Sequence, residues 1–255
     1  PIPSVEEQKR IVAKIEELLP YVDRYAIAYE KLEQLNAKFP EQIKKSILQY
    51  AIQGKLVEQR TEEGTGEELY HQIQEEKQRL IKEGKIKKEK PLAEITEDEI
   101  PFDIPESWKW SYLLNVAEEK PTNGISPKGV DYSTPVKNLT LTATTSGYFK
   151  SYAFKYVDIH IDRDSKYWLK KNDLLIQRSN STELVGTSCI YTGEDGDYIY
   201  PDLMMKLRII SSVDLKYVDY VLKSPTSRNF FSRNASGTSK SMPKINQDTV
   251  SKALI

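Results

Sequence analysis

The side chains in this chain best placed to do chemistry are binders rather than catalysts. Segment 176–186, Ile-Gln-Arg-Ser-Asn-Ser-Thr-Glu-Leu-Val-Gly, reads as a strand that enters a polar loop and returns after Gly186. Arg178 and Asn180 are the residue types that make bidentate contacts to guanine and adenine. Ser179, Ser181 and Thr182 stand beside them as short donors. Between Asp219 and Asp248 there is no acidic residue, yet Lys223, Arg228, Arg233, Lys240 and Lys244 all occur. Interleaved with these cations are Ser236, Thr238, Ser239 and Ser241, suited to phosphates and base edges. Gly237 among them permits close backbone approach. A third loop, 122–128, offers Asn123 and Lys128. Each segment also fits a plainer description: a hairpin loop, a solvated stretch after a helix, a turn. Spacing alone does not decide between them.

Enzyme signatures are missing. The chain has no G-x-x-x-x-G-K-[ST] phosphate loop, no G-x-G-x-x-G and no Asn-Pro-Pro-aromatic tetrapeptide. Asp158, Asp162 and Asp164 cluster, as do Glu194, Asp195 and Asp197, and acid clusters hold Mg²⁺ in nucleases. Both sit in turn-like contexts, where Asp commonly bonds its own backbone. The single Cys189 excludes an internal disulfide and a cysteine zinc site, and it fits a reducing compartment. His71 and His160 are the only histidines and lie far apart. The expectation is no catalytic residue, no metal and no cofactor.

Composition narrows the class further. The chain has 255 residues, 29% charged and 38% apolar, with a net charge of −1. A nucleic-acid binder of this balance must localise its positive charge. No apolar run reaches the length that spans a bilayer. The first residues do not form a signal peptide, and they open on Pro1 rather than Met, as in a chain trimmed from a longer one. A cytoplasmic location is expected.

The elements that must position these residues follow from periodicity. Residues 4–53 read as helix, opened by a Ser4-x-x-Glu7 capping box. Ile11, Ile15, Leu18, Val22, Tyr25, Tyr29, Leu32, Leu35 and Phe39 recur at gaps of 4, 3, 4, 3, 4, 3, 3 and 4. That alternation is a heptad seam about 50 Å long, which wants a partner helix or, alternatively, its own domain. Pro20 should kink the helix, and Pro40 suits the first turn of a second helix over 41–52, capped by Gly54. Residues 55–105 look like a connector: a loop at 61–66, a charged helix over 67–83, and a lysine-rich run at 82–90 that is a solvated tail or a phosphate-contacting arm. From Ile104 the texture is β-rich. Strands are expected at 135–141, 152–159, 173–178, 186–191, 197–200 and 203–210, with turns at 170–173 and 194–197. Two helices follow, over 214–223 and from Ser224-Pro225 to about Asn234.

Several motifs together resemble the DNA specificity subunits of type I restriction-modification systems. They are Pro1-x-Pro3 with Glu7-Gln8-Lys9-Arg10-Ile11, Leu48-x-x-Ala51-Ile52-x-Gly54-Lys55-Leu56, and Ile104-Pro105-Glu106-Ser107-Trp108. Asn172-Asp173-Leu174-Leu175-Ile176 is similar to that family's Gly-Asp-x-Leu pattern, with Asn172 where Gly is usual. Ser236-Gly237-Thr238 and the apolar tail Ala253-Leu254-Ile255 complete the set. The resemblance implies two target-recognition domains, separated by an antiparallel coiled coil and each reading half of a bipartite site. It implies methyltransferase subunits that carry S-adenosylmethionine, and a restriction subunit that translocates and cuts. This chain holds one recognition domain and one spacer helix, so it resembles one repeat of such a protein.

The expected fold class is α+β: a long kinked coiled-coil spacer helix followed by a mixed β-rich target-recognition domain with short helices. Residues 1–57 form the spacer region, 58–104 the charged connector and 105–255 the DNA-binding domain. The expected DNA contacts are Asn123, Lys128, Arg178, Ser179, Asn180, Ser181, Thr182, Arg233, Gly237, Thr238, Ser239, Lys240, Ser241 and Lys244. The seam residues Ile11 to Phe39 form the dimer interface. Expected partners are double-stranded DNA, the methyltransferase and restriction subunits, and a second copy in an antiparallel homodimer or another half-subunit. The rival reading is a coiled-coil scaffold whose β-domain binds protein.

Overall fold

The computed structural model describes residues 1–237 and 242–255. The chain divides into two units, Pro1–Ile47 and Leu48–Ile255. A single helix, α1 (Val5–Ile52), supplies nearly all of the first and the opening residues of the second. The Ser4 hydroxyl accepts the Glu7 N–H at 3.3 Å, one half of the expected capping box. At the other end the Lys55 N–H reaches the Tyr50 carbonyl at 3.0 Å and the Gly54 N–H reaches Ala51 at 3.1 Å. Gly54 sits at φ +69°, so this is a Schellman cap, and the glycine expected there is required by its backbone.

One expectation is corrected: α1 continues as a single helix through Pro40, and no second helix opens at Glu41. Proline's φ near −65° is already helical. Inside a long helix it removes one bond and crowds one turn, while the turns on both sides hold. Within Pro1–Ile47 the seam residues Ile11 to Phe39 are 45–70% exposed. Polar support there is local, as in Lys14–Glu17 at 2.8 Å and Lys44–Glu41 at 2.8 Å.

The second unit opens with a 3-10 turn and α2 (Gly66–Lys82). Thr65 and Glu68 exchange both bonds of a capping box, at 3.2 and 2.8 Å. Ile73 of α2 is buried in the main core. Lys77 donates to the carbonyls of Leu114 and Ala117, both at 2.8 Å, at the end of α3 (Leu113–Val116). Burial lowers the Lys77 pKa to about 8. Ile86, inside the lysine-rich run, is buried too. The charged stretch is therefore anchored at Ile86.

Two antiparallel sheets follow. One has the order β1 (Thr122–Asn123), β7 (Met204–Leu207), β5 (Leu174–Gln177), β6 (Ser188–Ile190). The other has the order β2 (Gly129–Val130), β4 (Phe154–Val157), β3 (Val136–Leu139). The central strand β5 is buried along its whole length. Its pleat sends Leu174 and Ile176 into the main core and Leu175 into a second cluster with Leu139, Ala143 and Tyr191. Residues 197–200 do not form a strand. Ile199 instead makes isolated bridges to Asn138 and Trp168. β1 and β2 arise where the sequence predicts only loop, because two-residue strands carry no alternation to read.

Asp173 enters β5 as a buried carboxylate held by Arg208 at 2.5 Å. Asn172 before it sits at φ +70°, the one non-glycine in the left-handed region among the described residues. Asn tolerates that region because its short amide bonds locally. This explains how it stands where the resembled pattern has Gly. The unit closes with α4 (Leu215–Lys223), α5 (Pro225–Arg233), capped by Ser224 with Pro225 at its first position, and α6 (Gln247–Ser251).

Candidate nucleic-acid interface

Three loops, separate in sequence, meet where β5 ends. The Arg178 N–H bonds the Leu203 carbonyl at 2.8 Å. The Arg178 carbonyl in turn accepts the Ile245 N–H at 2.9 Å. Ser179 bridges Lys244, and Lys244 and Ser236 exchange backbone bonds at 2.8 and 2.9 Å. Ser236 and Lys244 are thus laid against loop 178–182 through main-chain bonds, which hold their spacing whatever the side chains are. The third loop reaches the same place from β1. Asn123 pairs with Met205. The Ser126 hydroxyl bonds the Asp202 carboxylate and accepts the Asp202 N–H at 3.1 Å. Arg178 closes the group by donating to the Asp202 carbonyl at 3.3 Å. Gly124 makes the approach possible, since a Cβ there would collide with the Tyr200 carbonyl.

Individual side chains are placed unevenly. Thr182, Lys128, Arg233, Gly237 and Lys244 are exposed; Arg178, Ser181 and Asn123 are half-buried. Ser179 is fully buried, its hydroxyl without a hydrogen-bond partner among the described residues. As placed, it offers no surface to a duplex. Asn180 is committed inward: its Nδ2 donates to Gln177 Oε1 at 2.6 Å and its Oδ1 accepts the Ser181 N–H at 2.8 Å. Both atoms that would read adenine instead hold the loop's shape. Thr238, Ser239, Lys240 and Ser241 lie outside the described residues.

The cations of the late segment also divide. Lys223 pairs with the buried Asp219 at 2.5 Å. Arg228 turns inward to the Glu183 carbonyl at 2.8 Å, and burial lowers its pKa to about 10. It buttresses loop 178–186 from α5. Phe231 of the same helix packs so closely on Gly186, at φ +77°, that no Cβ would fit there. That leaves Arg233 and Lys244 as the exposed cations of this segment among the described residues.

Gln177 is the residue that sequence reasoning missed. It is fully buried, and its Nε2 donates to the Leu141 carbonyl at 3.0 Å, Thr144 Oγ1 at 2.9 Å and Thr145 Oγ1 at 3.1 Å. Strand parity is the signal that could have found it. Two residues after Leu175, it must share that residue's buried face. A buried amide needs several partners.

Chemistry of other kinds finds little support. Among the described residues, no group of three or more His, Cys, Asp or Glu is placed to hold a metal ion. No helix among the described residues is long and apolar enough to cross a membrane. A groove of about 710 Å³, lined by Ile52, Trp108, Tyr217 and Ile255 among others, contains none of the loop residues above.

Comparison with known proteins gives the following. No family model matches the chain. It is 28% identical over 218 residues to the type I restriction enzyme EcoEI specificity subunit of Escherichia coli, covering 84% of this chain and 36% of that one. It is 43% identical over 86 residues to the EcoAI specificity subunit of the same organism, covering 34% of this chain and 15% of that one. Among solved structures, the HsdS subunit from Thermoanaerobacter tengcongensis aligns with all of this chain and 47% of its own length, at 15% identity and a TM-score of 0.44. The chain thus spans about a third of the length of the EcoEI subunit.

Proposed function

We propose that this chain, a relative of the type I restriction enzyme specificity subunits, recognises double-stranded DNA and has no catalytic step of its own. The observation that carries the reading is the convergence of loops 122–128 and 178–182 around Asp202 and Leu203, with Ser236 and Lys244 bonded alongside, through main-chain and side-chain bonds. Arg178 is the candidate base reader. Lys128, Arg233 and Lys244 hold phosphates, which position the protein without carrying sequence information. Residues 105–255 form the recognition domain, 58–104 the connector and 1–57 the spacer.

The spacer's apolar seam has no cover within Pro1–Ile47. It supports pairing with a second copy in an antiparallel dimer, or with another half-subunit. Two copies of one recognition domain would read an inverted repeat, with half-sites about one helical turn apart or slightly more. Methyltransferase and restriction subunits would then supply the chemistry at that site, in the cytoplasm.

Duplex binding across a salt series tests the core of this reading. Affinity should fall steeply with salt as counterions are released. Selection from random-sequence duplexes should return one enriched site, and Arg178→Ala should weaken that site more than random duplex. Salt-independent binding or no enrichment sinks the proposal and favours a protein-binding scaffold.

A further inference from the structure

A second stretch of the globular unit is free of acid. From Tyr132 to Val157, between Asp131 and Asp158, there is no Asp or Glu, while Lys137, Lys150 and Lys155 occur. Its middle, 144–152, carries Thr144, Thr145, Ser146, Ser151, Tyr148 and Tyr152. The two tyrosines are each 73% exposed, the most exposed aromatic residues of the described chain.

This backbone is fixed from several sides. The Lys150 N–H bonds the Ala143 carbonyl at 2.9 Å and the Tyr198 hydroxyl bonds the Ser151 carbonyl at 3.0 Å. Lys223 donates to the Gly147 carbonyl at 2.8 Å, with its ammonium 5.0 Å from the Tyr148 ring centre. Gly147 at φ +75° makes the turn. Most telling is Gln177. One amide donates to Thr144 and Thr145 and accepts from Asn180. The segment is therefore in register with the recognition loop, one buried side chain away.

We propose that 144–152 is a fourth DNA-contacting loop, with Tyr148, Tyr152 and Lys150 reaching the duplex beside loop 178–182 and Gln177 as the positioning residue that couples the two. This rests on the DNA-binding reading above. The chemistry fits a polyanion. Tyrosine hydroxyls donate to phosphate oxygens, Lys150 adds charge, and no carboxylate within the stretch repels the backbone. Rigid aromatic side chains also lose little rotamer freedom on contact.

The test is binding of a fluorescent random-sequence duplex pool across a salt series, with the full chain and with Tyr148→Ala, Tyr152→Ala, Lys150→Ala and Tyr132→Ala. Thermal unfolding of each confirms the fold, which substitution at the three exposed tyrosines and at the half-buried Lys150 should leave intact. Each of the first two should weaken binding about tenfold, the loss of one hydrogen bond to a charged group. Lys150→Ala should lower the salt slope by about one. Tyr132 is exposed but bonds the Asp158 carboxylate at 2.6 Å, so its variant should bind as the native chain does. Native-like binding by both tyrosine variants, or an equal loss in Tyr132→Ala, overturns the loop assignment and leaves the DNA reading standing. A native chain that binds no duplex even at low salt overturns both.

Discussion

The two units use the same amino acids in opposite ways. In Pro1–Ile47 every residue but Pro3 is exposed, and apolar side chains line one stripe of a helix. In Leu48–Ile255 apolar side chains close into three buried clusters around two sheets, and the polar ones are held in networks such as Gln177–Asn180 and Asp173–Arg208. A lone helix with an uncovered stripe gains little from burial and depends on a partner for most of its stability. The globular unit is stabilised from within. The proposed function assigns self-association to one unit and recognition to the other, and the contrast says which substitutions should separate them.

The sharpest way to break the contrast is to charge the seam. The double variant Ile15→Asp/Leu32→Asp should abolish self-association, so that light scattering falls from near twice 29.4 kDa to the single-chain mass. A native chain that is already monomeric removes the homodimer and the inverted repeat with it. Next in size is the core of the second unit. Leu175→Ala, at a fully buried position of β5, should cost about 2–5 kcal/mol in denaturant unfolding. A change below about 0.5 kcal/mol would mean that the two clusters flanking β5 are not packed as described.

Arg178→Ala should weaken the selected DNA site about 10- to 100-fold with little change in unfolding, the scale of one bidentate base contact. Asn180→Ala separates shape from reading. If Asn180 shapes the loop, the variant should lose affinity for all duplexes alike, measured on the selected site and on random sequence. Discrimination lost at one base pair alone would make Asn180 a reader. A smaller effect belongs to Asn172. Replacement by Ala should cost about 1 kcal/mol for its left-handed backbone, whereas Gly should be nearly neutral.

The smallest effect is a pH slope. Lys77 titrates near 8 in the folded unit against an ordinary 10.5. Between those values the unfolded chain still holds the proton that the folded chain has released, so this group makes stability rise with pH across that window. Lys77→Met should flatten that rise, read as the difference between variant and native chain in urea unfolding at several pH values. An unchanged slope would mean that Lys77 is not desolvated against the Leu114 and Ala117 carbonyls.

Much of the fold was legible because its signals are local. The Ser4 cap, the glycine at position 54 and the Ser224-Pro225 start depend on residues within a turn of one another. The heptad stripe is legible for the same reason. The proline at position 40 misled because its restricted φ both begins helices and fits inside them. The two-residue strands escaped because two residues give no period, and 197–200 has a strand's composition without a ladder to join.

The candidate interface divides along the same line. The sequence alone determined which residue types are present: a polar Arg-containing loop, an acid-free late segment, a helix with an unpaired apolar stripe, and no catalytic motif. Only the tertiary structure decided that Ser236 and Lys244 share one place with the loops at 122–128 and 178–182, that Asn180 and Arg228 face inward, and that Gln177 ties 144–145 to 180. Apart from the local bonds of Asn180 to Gln177 and Ser181, those outcomes depend on hydrogen bonds between residues tens of positions apart. A buried amide or guanidinium looks the same in sequence as an exposed one. What separates them is the partners that folding brings within about 3 Å, where a polar group leaves water only if it is bonded.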